Sequence, residues 1–345
     1  AVVGPQSYHK FNNTLLEIEN KKNQINTTDF DVVEKFDNLN LILNSENKVS
    51  SFLTIQEGCD KFCKFCVVPY TRGSEYSRPM EEIINECQNL VLNGAREVNL
   101  LGQNVNAYYR SGYKLSNLIN QLSKIKKLQR IRYTTSHPID FSDDLIDTHK
   151  QNEKLMPLIH LPIQSGSDKI LKLMNRNHKV EKYLEIYKLI KQKNNKVEFS
   201  SDFIIGYPGE TNYEFNDTIN LIKEIKFINS YSFIFSARPG TPAFYLKKID
   251  QKIAKDRLAQ FQKVAERVKT HYRKNLVNRV FNVLFENKIR DENKYFGRDE
   301  YYNSVIVESN KNLIGQLKLV KILKINQNTL FGNVETDFNQ KNYAA

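Results

Sequence analysis

Three of the four cysteines in the chain lie within eight residues of one another, and their spacing has a clear chemical meaning. Cys59, Cys63 and Cys66 follow the pattern Cys-x3-Cys-x2-Cys. Thiolates so close in sequence can converge on one metal centre, and iron–sulfur clusters in proteins usually take four thiolate ligands. Three ligands would leave one iron of a cubane cluster open to a small molecule. The run therefore predicts a [4Fe–4S] cluster with one exchangeable iron.

Structural zinc is the alternative use of these cysteines, because such zinc sites take four Cys or His ligands. Cys87 is the only other cysteine in the chain. It falls on the apolar face of a predicted helix together with Ile83, Leu90 and Val91, which favours a small buried side chain over a ligand. We therefore expect the cluster. The alternative from a different class is a zinc-containing RNA-binding protein without catalysis.

The composition of the 345-residue chain indicates a large domain and a smaller one, since 40% of the residues are apolar. The sequence has no apolar run of the roughly 18 residues that a membrane-spanning helix needs, and no secretory signal pattern. We expect a cytoplasmic protein with no membrane partner. Clustered cysteines then indicate metal chemistry in a reducing compartment instead of disulfides. A monomer is expected, because nothing in the sequence predicts an oligomer.

Positive charge is concentrated in one predicted helical stretch. The whole chain carries 51 Lys and Arg against 39 Asp and Glu, a formal net charge of +12. Residues 247–274 alone hold ten basic and three acidic residues. A basic surface neutralises phosphates and so favours a nucleic-acid partner. The simpler alternative is a solvated helix face.

Six short apolar runs alternate with helical patterns after residue 50, which is typical of an α/β fold with parallel strands joined by right-handed crossovers. Such a sheet can curl into a partial (βα)6 barrel, whose active site lies on the loops after the strands. The cysteine run follows the first predicted strand, so the six loops are expected to form one mouth. The predicted strands are 52–55, 98–101, 130–134, 158–161, 203–205 and 231–235. The first predicted helix begins near Pro79. The others cover about residues 115–125, 142–151, 180–193 and 211–226.

Short alternating runs follow the basic helix, which is predicted to end near residue 278. They cover residues 280–285, 303–307, 315–322 and 329–334. This pattern predicts a small antiparallel β-barrel of the OB-like class, which binds oligonucleotides. The predicted organisation is a polar linker over 13–50, a catalytic domain over 51–276 and an RNA-binding domain over 277–340.

Several motifs together resemble the methylthiotransferases of the radical S-adenosylmethionine (SAM) superfamily. They are the stretches 58–73, 77–79, 100–108, 134–138, 160–167 and 174–176. The likeness covers nearly the whole chain. Residues 67–73 and 102–108 are most similar to the type that acts on isopentenylated adenosine in tRNA. The C-terminal barrel is similar to the TRAM domain of this family, an RNA-binding module.

The resemblance implies a transferase that replaces the C2–H of N6-isopentenyladenosine, next to the anticodon at tRNA position 37, with a methylthio group. One SAM molecule binds the open iron and is reduced to methionine and a 5′-deoxyadenosyl radical, and another SAM supplies the methyl group. An electron donor such as flavodoxin or ferredoxin is expected. The alternatives are sister enzymes that act on N6-threonylcarbamoyladenosine in tRNA or on an aspartate of a ribosomal protein. The basic stretch favours tRNA over a protein substrate.

The resemblance also implies roles for particular residues, with Cys59, Cys63 and Cys66 as the metal ligands. Phe65 would pack near the SAM adenine, and residues 102–104 occupy the place of a Gly-Gly-Glu turn that holds the methionine amino group. The cofactor-binding candidates are Phe65, Gly102, Gln103, Asn104, Gln164, Arg176, Asp202 and Glu210. For the last four, loop capping is an equal alternative. His137 and His160 are interpreted as core histidines.

The family carries a second [4Fe–4S] cluster, held by three cysteines of an N-terminal domain. In this sequence no cysteine precedes Cys59. Residues 1–12 resemble the end of that N-terminal domain, so the chain is expected to be an N-terminally truncated member of the family. We expect residues 1–345 to bind SAM but not to insert sulfur by themselves.

Overall fold

The computed structural model describes residues 1–4, 7, 10–21, 25–27, 48–290 and 292–335. Near the N-terminus, strand β1 (Val2–Val3) pairs in parallel with β2 (Asn26–Thr27), and helix α1 (Phe11–Lys21) lies between them in sequence. Helix α1 falls in the range predicted as a polar linker, and the sequence analysis did not predict it. Residues 28–47 of that range lie outside the described residues.

Six parallel strands form the large domain, which confirms the predicted α/β partial barrel. Strands β3, β6 and β9 pair in that order, as do β10, β11 and β12, and a parallel bridge between Ile131 and Leu155 joins the two groups. Within the described residues β3 and β12 do not pair, so the barrel is open on one side. The bounds are β3 Ser50–Thr54, β6 Glu97–Leu101, β9 Arg130–Tyr133, β10 Leu158–His160, β11 Glu198–Ile205 and β12 Asn229–Ile234.

Helices cover the outside of these strands, and their apolar faces form the main core. The long helices are α3 Met80–Leu92, α4 Leu115–Leu122, α5 Asp143–Gln151, α7 Val180–Lys193, α8 Asn212–Ile225 and α9 Gln251–Lys274. Two shorter helices were not predicted, α2 (Val68–Arg72) and α6 (Asp168–Leu173). Two hairpins complete the domain, β4 (Gln56–Glu57) with β5 (Tyr76–Ser77) and β7 (Tyr109–Arg110) with β8 (Tyr113–Lys114). No helix in the described part of the chain is long and apolar enough to span a bilayer.

Side chains alternate between the two faces of each barrel strand, and this alternation separates core from cavity. One set is fully buried in the core shared with the helices: Leu53, Leu100, Ile131, Ile159 and Phe203. The neighbouring residues line a cavity inside the barrel: Phe52, Asn99, Arg132, His160 and Asp202. The interior therefore combines polar and aromatic side chains and is partly open, unlike the packed apolar interior of a closed eight-stranded barrel.

The C-terminal domain is a closed five-stranded barrel with strand order β13-β14-β15-β17-β16. Its strands are β13 Val280–Lys288, β14 Lys294–Arg298, β15 Ser304–Glu308, β16 Leu317–Ile325 and β17 Thr329–Val334. Strand β14 was not predicted. The expectation of an antiparallel barrel needs one correction, because β15 and β17 pair in parallel to close it.

The second barrel covers the amino-terminal end of the six strands through two buried arginines of β9. Arg130 donates hydrogen bonds to the carbonyl oxygens of Arg298 (2.8 Å) and Asn282 (2.7 Å). Arg132 donates to the carbonyl oxygens of Asp299 and Glu300, each at 2.8 Å. We call this end of the barrel, with residues 298–303, the sealed end. The loops after the carboxyl ends of the six strands form the opposite end, the mouth.

Candidate active site

The cysteine run forms a tight loop at the mouth, between β4 and α2. Gly58 has a φ of +78°, and a Cβ atom there would lie 1.9 Å from the carbonyl oxygen of Ser74, so only glycine fits. The Cys59 amide donates to the carbonyl oxygen of Gly73 at 3.2 Å, and the Cys66 amide donates to that of Cys63 at 2.9 Å. These contacts fold the run back on itself and hold it against residues 73 and 74.

The three thiols are close enough to influence one another's ionisation. Burial, together with the negative charges of Glu75 and of the other two thiolates, raises the pKa of Cys59 to about 11. Burial also raises the pKa of Cys66, with a contribution from Cys63. Metal ligation needs thiolates, so a positive centre must compensate for this clustered charge.

Arg176 supplies one positive charge directly at this cluster of thiols. Its Nη1 donates to the sulfur of Cys63 at 3.5 Å, its Nη2 donates to the carbonyl oxygen of Pro162, and its buried Nε has no hydrogen-bond partner among the described residues. The sequence analysis predicted Arg176 as a SAM or substrate contact. The structure places it against a cysteine, where it can stabilise a thiolate or bind a negatively charged ligand.

Cys87 lies apart from this loop, in the core. It is fully buried on α3, and burial raises the pKa of its thiol to about 12. Within the described residues, no three His, Cys, Asp or Glu side chains are grouped to hold a single metal ion. The same finding holds for Cys59, Cys63 and Cys66, so the described part of the chain offers no preformed zinc site that includes Cys87, and the cluster assigned to the three thiols stays a prediction.

Two other segments hold the cysteine loop through backbone hydrogen bonds. The Lys64 amide donates to the carbonyl oxygen of Met174, and the Ala243 amide donates to that of Lys64, each at 2.9 Å. Phe65 is half-buried and packs against the small cluster formed by Ile170, Met174, Tyr207 and Ala243. The predicted packing of Phe65 near the SAM adenine stays a prediction.

The turn after β6 holds the cysteine loop in place. Gln103 accepts a hydrogen bond from the Gly58 amide at 2.8 Å. Asn104 is buried and its Nδ2 donates to Glu75 (2.9 Å) and Asp140 (2.8 Å). A Cβ atom on Gly102 would lie 2.6 Å from the side-chain oxygen of Gln56, which donates to the Gly58 carbonyl oxygen through its Nε2. Gln103 and Asn104, which were predicted to bind SAM, thus use part of their hydrogen-bonding capacity to position the cysteine loop.

Two further side chains hold the same loop, and sequence reasoning missed both. Gln56 makes the contact with Gly58 described above and also accepts from the Asn104 amide at 3.0 Å. Asn175 donates through Nδ2 to the Phe62 carbonyl oxygen at 3.0 Å, and both residues have left-handed backbones, with φ of +59° and +47°. The sequence signal that could have identified Asn175 was an asparagine directly before Arg176, since asparagine tolerates a left-handed backbone.

The remaining candidates differ in their surroundings. Gln164 has a φ of +77° and bridges to β11 through backbone hydrogen bonds. Glu210 is buried, and its Oε1 accepts from Arg257 Nη1 (2.9 Å) and from the Gly206 amide (3.1 Å). The loop-capping alternative accounts for these contacts of Glu210.

Asp202 lines the cavity inside the barrel, which has a volume of about 410 Å³. Its Oδ1 lies 3.4 Å from Nε2 of His160, whose Nδ1 is 3.0 Å from the hydroxyl of Ser200. The core interpretation of His160 is wrong, because this histidine is half-buried in the cavity wall. Aromatic residues form much of the rest of the wall: Phe52, Tyr133, Tyr231, Phe233 and Tyr302.

His137 is buried, as the sequence analysis expected of a core histidine. Its Nδ1 accepts from the Ile139 amide at 3.2 Å. Burial, together with the nearby charge of Arg176, holds the pKa of His137 far below its usual value. This histidine is therefore neutral at physiological pH.

The ten basic residues of the stretch separate in the structure into two buried, seven exposed and one half-buried, Lys269. Arg257 and Arg273 are buried, where Arg257 pairs with Glu210 and Arg273 donates to the carbonyl oxygen of Asn326. These two arginines stabilise the fold and are not available to phosphates. Seven lysines and arginines are exposed: Lys247, Lys248, Lys252, Lys255, Lys263, Arg267 and Lys274.

Comparisons with known proteins match both parts of this architecture. The family described as "Radical SAM superfamily" matches residues 53–222, and the "TRAM domain" family matches residues 274–334. Among solved structures, coproporphyrinogen III oxidase from Escherichia coli, a radical SAM enzyme, aligns with a TM-score of 0.50 over 85% of this chain and 73% of that one. At 14% identity this likeness concerns the fold alone.

Curated relatives are much more similar in sequence. A tRNA-2-methylthio-N(6)-dimethylallyladenosine synthase of Pelagibacter ubique (strain HTCC1062) is 55% identical over 99% of this chain and 77% of its own length. A protein of the same name from Wolbachia sp. subsp. Brugia malayi (strain TRS) is 45% identical over 96% of this chain and 77% of its own length.

Proposed function

Because the chain belongs to the radical SAM methylthiotransferase family, we propose that it acts in tRNA modification, adding a methylthio group to C2 of N6-isopentenyladenosine next to the anticodon. The observation that carries this proposal is the placement of three cysteines and one buried arginine at the mouth of a partial barrel whose other end is covered by a TRAM barrel. We propose that the two domains divide between residues 276 and 277, after α9.

Cys59, Cys63 and Cys66 are the proposed ligands of a [4Fe–4S] cluster whose fourth iron binds SAM. When bound, the cluster supplies the electron that splits SAM. Arg176 offsets negative charge at Cys63, since its Nη1 lies 3.5 Å from that sulfur. Phe65 offers an apolar ring face beside the loop, and Gln103 and Asn104 keep the loop in the shape that ligation requires.

The cavity inside the barrel fits a single nucleobase with its ribose, since its 410 Å³ lies within the usual range of small-molecule sites, roughly 300 to 1,000 Å³. Its aromatic walls can exclude water, and His160, Asp202 and Asn99 offer hydrogen bonds to the edge of a base. A base must leave its stack to enter, which costs least in a single-stranded loop. The anticodon loop of tRNA meets this condition.

Sulfur insertion is proposed to need a second cluster that the residues of this sequence do not provide. The three clustered cysteines are assigned to the SAM site, and Cys87 is buried in the core. The relatives are longer than this chain, which spans 77% of the Pelagibacter protein. We propose that three further cysteines, outside this sequence, hold the second cluster, and that flavodoxin or ferredoxin donates the electrons.

The test in cells is mass spectrometry of tRNA nucleosides from a strain that lacks the gene, complemented with the intact gene or with variants. We expect the deletion to remove only the methylthio group of isopentenyladenosine, and the intact gene to restore it. Cys63→Ala should fail to restore it, whereas the control Cys87→Ala should succeed. Loss of the methylthio group from threonylcarbamoyladenosine instead would assign the chain to the sister enzymes.

A further inference from the structure

Two exposed aromatic rings lie in the segment between β12 and α9, beside the cysteine loop at the mouth. They belong to the 3-10 turn Pro242–Tyr245. Tyr245 is 82% exposed, more than any other large hydrophobic side chain in the described part of the chain, and Phe244 is 39% exposed. Their ring centroids are 5.3 Å apart at an interplanar angle of 86°. This edge-to-face arrangement leaves ring surface open to solvent.

The rings of Phe244 and Tyr245 are not needed to hold the turn in place, because the preceding residue, Ala243, anchors it. Ala243 is fully buried against Ile170, Met174 and Tyr207, and its amide donates to the carbonyl oxygen of Lys64. The turn is therefore fixed to the cysteine loop through Ala243. From this fixed point Tyr245 extends into solvent, where an aromatic side chain gains nothing from burial, and the partly covered ring of Phe244 lies against it.

The anchor also fixes how far the rings can lie from the proposed cluster. Two residues of extended chain span at most about 7 Å, so the backbone of Tyr245 lies within about 7 Å of Ala243. Ala243 in turn contacts Lys64, the neighbour of Cys63 in sequence. The rings thus stand beside the loop where the target base must enter the mouth.

Positive charge surrounds the same rings. Lys247 and Lys248 follow Tyr245 and are exposed, as is Lys64 on the cysteine loop. Aromatic rings interspersed with lysines are the chemistry by which proteins bind single-stranded nucleic acid, since bases stack on the rings and the cations neutralise phosphates. A surface built to bind another protein would not need this density of lysines beside its apolar residues.

We propose that Tyr245 and Phe244, together with Lys247 and Lys248, form a stacking platform for an unpaired RNA base next to the target nucleotide. This proposal rests on the tRNA substrate proposed above and adds a site on the protein that holds the anticodon loop. When the target base leaves its stack, its neighbour loses a stacking partner, and the platform replaces that partner. Recognition by stacking tolerates any base, so the platform orients the loop without reading its sequence.

The experiment measures binding of a fluorescently labelled RNA hairpin, with the sequence of an anticodon stem-loop, to the anaerobically reconstituted chain. Tyr245→Leu keeps apolar volume but removes the ring, and Tyr245→Phe keeps the ring. We expect Tyr245→Leu to weaken binding about tenfold and Tyr245→Phe to change it by less than about twofold. Tyr213→Leu, at another strongly exposed tyrosine on α8, is the matched control and should bind like the parent chain.

A second RNA identifies the stacked base. An abasic site next to the target adenosine should weaken binding to the parent chain about tenfold but should not further weaken binding to Tyr245→Leu, because both changes remove the same contact. The double variant Lys247→Gln with Lys248→Gln should reduce the slope of log K against log salt concentration by about 0.7 for each lysine.

Independent losses from the abasic site and from Tyr245→Leu would overturn the platform while leaving the tRNA substrate intact. Equal binding by Tyr245→Leu and the parent chain would do the same. If Tyr245→Leu instead slowed reduction by flavodoxin with RNA affinity unchanged, the surface would be a protein docking site and the proposal would be wrong. If the parent chain failed to bind the hairpin at all, the tRNA substrate itself would be wrong.

Discussion

At the mouth of the barrel Phe62, Gln164 and Asn175 have left-handed backbones, whereas at the sealed end the buried guanidinium groups of Arg130 and Arg132 are bound by carbonyl groups of the TRAM barrel. Left-handed conformations of residues other than glycine cost free energy, roughly 1 kcal/mol or more each. At the sealed end Tyr302 is also left-handed, with a φ of +65°, but the buried guanidinium groups there are hydrogen-bonded.

Buried polar atoms without hydrogen-bond partners sharpen this contrast. At the mouth they include Nε of Arg176, Oδ1 of Asn104 and Nε2 of His137. Such atoms are costly to bury, and a bound ligand can satisfy them. The mouth thus holds more unsatisfied and strained groups than the sealed end, where Tyr302 is left-handed and Oε2 of Glu300 lacks a partner among the described residues. Substitutions at the mouth should therefore change function more than stability, and substitutions at the sealed end the reverse.

The largest expected effect is at the mouth, in Cys63→Ala. Removal of one of three ligands should abolish the cluster, so the reconstituted variant should be colourless and form no detectable 5′-deoxyadenosine from SAM. Cys87→Ala is the control, and it should keep the iron content and the colour with a loss of about 1 kcal/mol in the free energy of unfolding. Iron and sulfide analysis after anaerobic reconstitution measures both. A brown Cys63→Ala preparation with full iron content would remove the assignment of this ligand.

At the sealed end, Arg132→Met should lower the free energy of unfolding by about 3–5 kcal/mol, because it leaves the carboxylate of Glu97 buried without its partner. The two groups are 2.8 Å apart and both are buried. Denaturant unfolding measures the loss. Lys182→Met, at an exposed pair with Glu185, should cost less than about 1 kcal/mol. Similar losses for the two variants would contradict the structural role of the sealed end.

Asp299 should give the sealed end a dependence on pH. Its side chain is fully buried, and burial raises the pKa from 3.8 to about 6 in the folded state. Between these values the unfolded chain loses the proton that the folded chain retains, so stability falls as the pH rises from about 4 to 6. The decrease should be about 3 kcal/mol relative to Asp299→Asn, which has no such proton. Parallel unfolding curves of the two proteins over this pH range would show that the carboxyl group is not buried in this way.

The smallest expected effect on stability distinguishes strain from function at the mouth. Gln164→Gly relieves a left-handed backbone and should raise the free energy of unfolding by about 0.5 to 1 kcal/mol. If Gln164 contacts SAM, the same variant should bind SAM at least about fivefold more weakly, as measured by equilibrium dialysis. Lys226→Gly, at the left-handed C-cap of α8, is the matched control. It should be similarly stabilised with unchanged SAM affinity, and equal SAM binding by both variants would leave Gln164 without a role in the site.

Much of the fold could be predicted from the sequence, because hydrophobic alternation and helical period are local signals. All six barrel strands and the long helices that cover them were predicted. Helix α6 and strand β14 were missed, because each is short and its type depends on what it packs against. The sealed end could not be predicted, since Arg130 and its carbonyl partner in Arg298 are 168 residues apart.

The candidate site could be predicted only where the spacing of residues close in sequence indicates the chemistry. Cys59, Cys63 and Cys66 were predicted in this way, and their role as ligands stays a prediction. The contact of Arg176 with a thiol, and the use of Asn104 to hold the loop, depend on the meeting of distant loops and have no local pattern. The cavity position of His160 follows from the alternation of β10, which is too short to show which face is buried.

Three thiolates at the mouth are proposed to hold a cluster with one iron open to SAM. Mössbauer spectroscopy of the chain, reconstituted anaerobically with ⁵⁷Fe, tests it most directly. The account predicts about four irons per chain, one of which changes its isomer shift when SAM is added. Iron sites that are all unaffected by SAM, or one tightly bound zinc in place of iron, would contradict it.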